Sequence, residues 1–184
     1  MGEMRLESER LTFRKIEPGD FAAVAEIMRG QGVQKVWGHF FTDQDVREWI
    51  EKRRRGYEAH GIDYLLACRR DSGEAVGQIG LLREAIQGRE VWAVGYILAD
   101  RYCGRGYATE GARAMAEYAF RTLKAPEIFC DIRPENLPSL AVAKRLGMTE
   151  TGSFLKRYRG QDMPHLIFRL RPPAGGLFLS AEKL

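Results

Sequence analysis

Apolar positions along this 184-residue chain change period several times, and each change predicts an element. "LTFRKI" (11–16) alternates apolar and polar residues and predicts a first strand. "EPGD" punctuates it, and Asp20 is placed to cap a helix in which Phe21, Val24, Ala25 and Met28 recur at helical spacing. "GQG" (30–32) predicts the end of that helix. "TDQD" (42–45) has the Ser/Thr-x-x-acid form of a helix start, and Val46, Trp49 and Ile50 make its apolar stripe. The basic run Lys52–Arg55 is placed at the end of this helix, where it is either a solvated last turn that complements the helix dipole or a binding patch.

Three strands follow, at 63–70, 75–82 and 91–98, with short connections that predict an antiparallel meander. The period then becomes helical through Ala108, Ala112, Met115, Ala119 and Leu123. "EIFCDI" (127–132) is a strand, and "RPENLPS" breaks the chain. Val142, Ala143 and Leu146 give a short helical face that Gly147 stops. "TETGSFLKRYR" and "HLIFRLR" (165–171) are two closing strands joined by "GQDMP". The order is β-α-α-β-β-β-α-β-α-β-β. Residues 91–132 are long enough for a right-handed parallel crossover, and the rest is antiparallel or mixed. The expected fold class is α/β of the mixed α+β kind, in one domain over residues 1–171, with a tail at 172–184 that has no clear period.

Composition narrows the partners. The 45% apolar and 29% charged content is that of a soluble globular domain, and a net charge of +4 favours anionic small molecules without indicating nucleic acid. Cys68, Cys103 and Cys130 have neither metal nor redox spacing, and with three histidines no metal site is expected. The N-terminus lacks the apolar stretch of a signal peptide, and the longest nearly apolar run, Val91–Ala99, is far below the roughly 20 residues that span a bilayer. The expectation is a cytoplasmic protein with no membrane and no nucleic-acid partner.

The candidate chemistry lies in "LADRYCGRGYATEGARAMAEYAF" (98–120). A strand ends, two glycines flank an arginine, and a helix begins. A helix N-terminus offers unpaired N–H groups and a positive dipole end, and glycine clears the approach for an anion. The string lacks the G-x-x-x-x-G-K-[ST] of a nucleotide loop. The dinucleotide finger G-x-G-x-x-G would need Gly or Ala where Thr109 stands. Arg101-Tyr102-Cys103-Gly104-Arg105-Gly106 does match R/Q-x-x-G-x-G/A, the coenzyme A signature of the GNAT-type N-acetyltransferases. More broadly, "RLTFRKIEPGDF", "GQIGL", "VGYILADRYCGRGYATEGARAMAEYAF" and "PENLPSLAVAKRLGMTETGSF" resemble, in order and spacing, the ribosomal-protein N-terminal acetyltransferase branch of that family (RimJ/RimL type), over roughly residues 10–170.

This resemblance implies a central, mostly antiparallel sheet of about six to seven strands, splayed between the fourth and fifth, with about four helices. It implies acetyl-CoA as the acetyl donor, lying in the splay. Ile97 and Leu98 would offer backbone groups to the pantetheine. Arg101, Cys103, Gly104, Arg105, Gly106, Tyr107 and Ala108 would surround the pyrophosphate, with Thr109 opening the helix. Asn136 would bond to the cofactor chain near the thioester, or cap a helix, or both. Lys144 would reach the phosphates or stand as a solvated charge. Many relatives protonate the leaving thiolate with a Tyr seven positions after that Asn, and here Ala143 stands there. The branch suggests Ser139 in its place. Some relatives draw a base from a Glu entering the fourth strand, which falls on Glu90, with Glu84 a nearby rival. Cys103 is read as a tolerated substitution and not a nucleophile.

Substrate contacts are expected from "KVWGHFFT" (35–42) and the last hairpin. Trp37, His39, Phe40 and Phe41 are either core or a substrate wall, Tyr96 is a candidate liner of the acyl site, and His165 is read as structural. The implied reaction is direct attack of a neutral primary amine, either a protein N-terminus or a small molecule, on the thioester. A homodimer is plausible for the branch. An acyl-CoA-binding sensor without turnover is the alternative.

Overall fold

The computed structural model describes residues 6–173. The strands are β1 (Leu6–Glu7), β2 (Leu11–Lys15), β3 (Tyr64–Arg69), β4 (Ala75–Ile86), β5 (Arg89–Leu98), β6 (Ile128–Ile132), β7 (Thr149–Tyr158) and β8 (Gln161–Leu170). The helices are α1 (Phe21–Met28), α2 (Gln31–Trp37), α3 (Asp43–His60), α4 (Tyr107–Arg121) and α5 (Leu137–Arg145). The strands form one sheet in the order β1-β2-β3-β4-β5-β6-β8-β7. Every neighbouring pair is antiparallel except β5 and β6. The expected mixed, mostly antiparallel sheet is present, with eight strands and five helices among the described residues in place of about six to seven and about four. The tail expected at 172–184 lies outside the described residues apart from Pro172 and Pro173.

The β5–β6 pair positions the site. These parallel strands share one register pair, Ala93 with Phe129, and then separate. On its other edge β5 stays paired to β4 as far as Leu98 opposite Gly77, and the Ala99 N–H continues that ladder onto the Val76 carbonyl. Antiparallel ladders alternate, so the main-chain groups of Tyr96 and Leu98 point away from β4, into the opening beside β6. Ile97 directs its main chain back to β4. Only the Leu98 backbone, of the two expected to meet the pantetheine, faces the gap. With the extra short β1 counted, this is the splay expected between the fourth and fifth strands.

Two helical expectations are extended. α1 ends at Met28, just before "GQG", as expected, and the same glycines also start a further helix, α2: Gln31 and Gly32 N–H groups donate to the Asp100 carboxylate at 2.6 and 3.2 Å. A Cβ on Gly30 would lie 2.9 Å from that carboxylate, which is why glycine stands there. In addition, α3 runs past the basic run to His60, where Gly61 in the left-handed region closes it. Its start is capped reciprocally by Thr42 and Asp45, as predicted. Arg53 is therefore in mid-helix and points inward, 2% exposed, paired with Asp63 at 3.0 Å and lying over the Trp49 and Tyr64 rings. Helical periodicity brings one member of the basic run to the buried face, so the run is not wholly solvated.

α4 lies close against the sheet because its inner face is small. Ala112, Ala116 and Ala119 are fully buried, and a Cβ on Gly111 would sit 2.4 Å from the Ile79 side chain. Among the described residues no helix is long and apolar enough to cross a membrane.

Candidate functional site

The loop after β5 opens with a 3-10 turn over Asp100–Tyr102 and ends at Gly106, which caps α4. Gly104 and Gly106 both have left-handed backbone, at φ of 75° and 83°, where L side chains are strained. A Cβ on Gly104 would meet nothing within 4 Å. That open, N–H-lined concavity at a helix start suits a pyrophosphate.

The side chains around it differ from the simple expectation. Arg101 is engaged by Glu26 and by Glu74 at 3.0 Å, so its charge is already paired. Tyr107 is buried, edge-on to Tyr102, and belongs to the core. Arg105 and Cys103 are exposed, and Ala108 and Thr109 are half-buried. Partial burial and the nearby Asp100 raise the Cys103 thiol, which keeps it protonated, against a nucleophilic role. A residue not foreseen joins the loop: Arg10 lies over the Tyr107 ring and donates to the Arg105 carbonyl at 3.1 Å. It also binds Glu110 at 2.6 Å, and Glu110 accepts in turn from Ser8 Oγ and the Arg10 N–H. This anchors the first turn of α4 to the N-terminal segment.

Where β5 and β6 part, a cavity of about 170 Å³ opens. Trp37, Tyr96, Ile97, Asn136 and Ser139 line it. The Asn136 side chain accepts from the Ser139 N–H at 3.3 Å, so it caps α5 while facing the cavity. The Tyr96 hydroxyl donates to the Ser139 carbonyl at 3.1 Å, and burial drives its pKa up, so the phenol stays protonated. Cys130, on the same wall, is pushed up to about 12 by burial and is an inert thiol.

The far end of the cavity holds a polar cluster drawn from four strands. Lys156 Nζ, on β7, donates to Glu84 of β4 at 2.9 Å and to Asp131 of β6 at 2.8 Å. His165 of β8 stands with Nε2 3.9 Å from the same Asp131 oxygen. Burial and the Asp131 charge raise the Glu84 carboxyl, while Lys156 opposes that rise. Burial works against the Lys156 ammonium, but the two carboxylates outweigh it and raise its pKa, so it remains charged. Trp37 closes one side, edge-on to Tyr158 at 5.3 Å and to Trp49 at 5.8 Å. Tyr64 completes that wall, tilted against Trp49.

Several expected residues lie elsewhere. Glu90 is on the β4–β5 hairpin, 77% exposed and paired with Arg83 at 3.2 Å, because the long β4 and β5 carry the hairpin out past the cleft. Glu84, opposite Val91, faces the cavity instead. Lys144 is exposed on the last turn of α5 and does not line the cavity. The aromatic stretch divides: Trp37 faces the cavity and Phe41 is core, while His39 pairs with Asp45 at 3.2 Å and Phe40 is exposed beneath Arg29. Sequence reasoning missed Asp131, Lys156 and the cavity placement of His165. One signal was present, an acid inside the apolar strand "IFCDI".

Residues 10–149 match the acetyltransferase (GNAT) domain family. The chain is 30% identical over 154 residues to the uncharacterised N-acetyltransferase YnaD of Bacillus subtilis, covering 83% of this chain and 87% of that one. An acetyltransferase from Agrobacterium tumefaciens str. C58 superposes with a TM-score of 0.77 at 27% identity, over 93% of this chain and 96% of that one. RimL, a ribosomal L7/L12 alpha-N-protein acetyltransferase solved with coenzyme A, shares the fold at a TM-score of 0.73 and 17% identity, over 91% of this chain and 98% of that one.

Proposed function

Since the chain belongs to the acetyltransferase (GNAT) family and is an acyltransferase, we propose that it moves the acetyl group of acetyl-CoA to a primary amine by direct attack. The observation that carries this reading is the cleft. An open glycine loop stands at the end of β5, main-chain groups of Tyr96 and Leu98 face the gap between the parting strands, and a carboxylate-rich cluster closes the other end. Acetyl-CoA supplies the thioester carbonyl. The N–H groups around Gly104–Tyr107 bind its pyrophosphate, and the Leu98 backbone and Asn136 hold the pantetheine. Ser139 is the candidate proton donor to the leaving thiolate. Ala143 is fully buried, so no phenol takes that task from its position.

Glu84 and Asp131 give the far end two carboxyl groups to which an incoming ammonium can donate. The acceptor is a protein α-amine, as in the RimJ/RimL branch, or a small amine, and the compartment is cytoplasmic. The test is coenzyme A thiol release from acetyl-CoA with a panel of peptides bearing free N-termini and small primary amines. Release with at least one class, saturating in the amine, is expected. Acetyl-CoA binding without release for any amine would replace the enzyme reading with a non-catalytic acyl-CoA sensor.

A further inference from the structure

We propose that His165 is the catalytic base that takes the proton from the acceptor ammonium, which Asp131 holds beside it. The inference rests on the acetyl-transfer reading above and assigns the step it left open.

The argument begins with the tautomer. His165 Nδ1 lies 3.0 Å from the Met163 carbonyl oxygen. A carbonyl only accepts, so Nδ1 carries the hydrogen and the neutral ring keeps its lone pair on Nε2. Met163 and His165 are two apart on β8, a short local bond that fixes the ring plane against Phe154. The ring lines the cavity and its side chain is 13% exposed. Its basic nitrogen is thus aimed at the polar end of the cleft.

Asp131 supplies the second half. Its Oδ2 is 3.9 Å from His165 Nε2, too far for a direct hydrogen bond. Two acceptors at that separation leave a position within hydrogen-bond distance of both, roughly 2.8 Å from each, which one ammonium can occupy. Asp131 is fixed, since Lys156 holds the same oxygen at 2.8 Å. Glu84 is the other carboxylate in the cluster, and Lys156 holds it at 2.9 Å. Lys156 keeps its own ammonium between the two, so it is not the base. The groups facing His165 are therefore Asp131 from β6, Lys156 from β7 and, through Lys156, Glu84 from β4.

The step balances as follows. The acceptor enters as R–NH3+ and Nε2 takes one proton, giving R–NH2 and an imidazolium stabilised by Asp131. The nitrogen lone pair forms a C–N bond to the thioester carbonyl carbon, and the C–S bond breaks. Ser139 gives its hydroxyl proton to the departing thiolate and takes the second nitrogen proton in its place, giving the coenzyme A thiol and the N-acetyl product. Imidazolium returns its proton to solvent.

The test uses His165→Asn, whose side-chain N–H replaces Nδ1–H on the Met163 carbonyl but offers no base, and His165→Ala. Thiol release is followed with the fastest amine of the panel. Expected are a fall in kcat of about a hundredfold for His165→Asn, with acetyl-CoA affinity unchanged and the acid limb of the kcat/KM profile lost, and recovery of His165→Ala by added imidazole. In the wild type, 15N shifts of the His165 ring should read Nδ1 as the protonated nitrogen. Turnover of His165→Asn within threefold of wild type, an unchanged acid limb, or the opposite tautomer would overturn the assignment alone. No release by the wild type with any amine would overturn the acetyl-transfer reading and this role with it.

Discussion

The Arg101–Thr109 loop and the cluster around Lys156 serve one cleft, yet the chain builds them in opposite ways. The loop is nine consecutive residues whose function is in the main chain: two glycines in left-handed backbone, a helix start, and side chains turned elsewhere. The cluster takes one residue from each of four strands, and its function is in the side chains. A main-chain site tolerates changes in its neighbours and fails when a Cβ intrudes. A side-chain site fails when any packing partner moves. The two halves should therefore break under different substitutions.

The largest effect is expected behind the acceptor wall. Arg53→Met strands the Asp63 carboxylate, which burial already pushes up, and removes the cation from over Trp49 and Tyr64. We expect a loss of about 3–5 kcal/mol in chemical denaturation, largely recovered when Asp63→Leu is added. At temperatures where the variant stays folded, the acceptor KM should rise while acetyl-CoA affinity holds. Equal losses at both ends would erase the contrast. Next comes Gly106→Val, which places a β-branched side chain at a φ of 83° beside the Arg10 guanidinium. Titration should show acetyl-CoA affinity weakened about a hundredfold, near 2.8 kcal/mol. Unchanged affinity in the folded variant would remove the loop from the site.

Glu110→Gln gives a smaller effect with a pH signature. Burial pushes this carboxyl up, but bonds from Ser8, the Arg10 N–H and the Arg10 guanidinium outweigh it and hold it below the usual glutamate range. A depressed carboxylate adds stability above its unfolded pKa and loses it as pH falls through the folded one. The variant should be less stable by about 1–2 kcal/mol at pH 7, and the gap should close as pH drops below roughly 4. A gap that persists in acid would mean the loss is steric. The smallest effect is expected from Lys144→Ala. An exposed lysine that does not line the cavity should shift acetyl-CoA affinity less than about threefold. A larger shift would bring α5 into the donor site.

The same contrast explains what could be read from the chain beforehand. Local signals were legible: the alternation of β2, the Thr42–Asp45 cap, and the glycines before α4 all act within a few residues. The cluster was not, because strand alternation tells which face a residue takes but not which strands lie side by side. Lys156 stands on β7, and its partner Asp131 on β6 is two strands away across β8. Counting back along a strand lands on Glu90 but ignores how far the hairpin extends, which carries Glu90 past the cleft. The basic run is opaque for a related reason, since composition alone does not tell which of four charged residues faces inward.

The Asp100 carboxylate has a consequence for redesign of this scaffold. It stands at the exit of β5 and holds the start of α2, a seven-residue helix roughly 10 Å long that carries Trp37 at its other end. Inserting or deleting residues in α2 to reshape the acceptor pocket would turn Trp37 off the wall or pull Asp100, and the loop behind it, out of place. Changes of acceptor preference are therefore reachable by exchanging side chains on β7 and β8, from which no such tether runs to the donor loop among the described residues, and not by changing the length of α2.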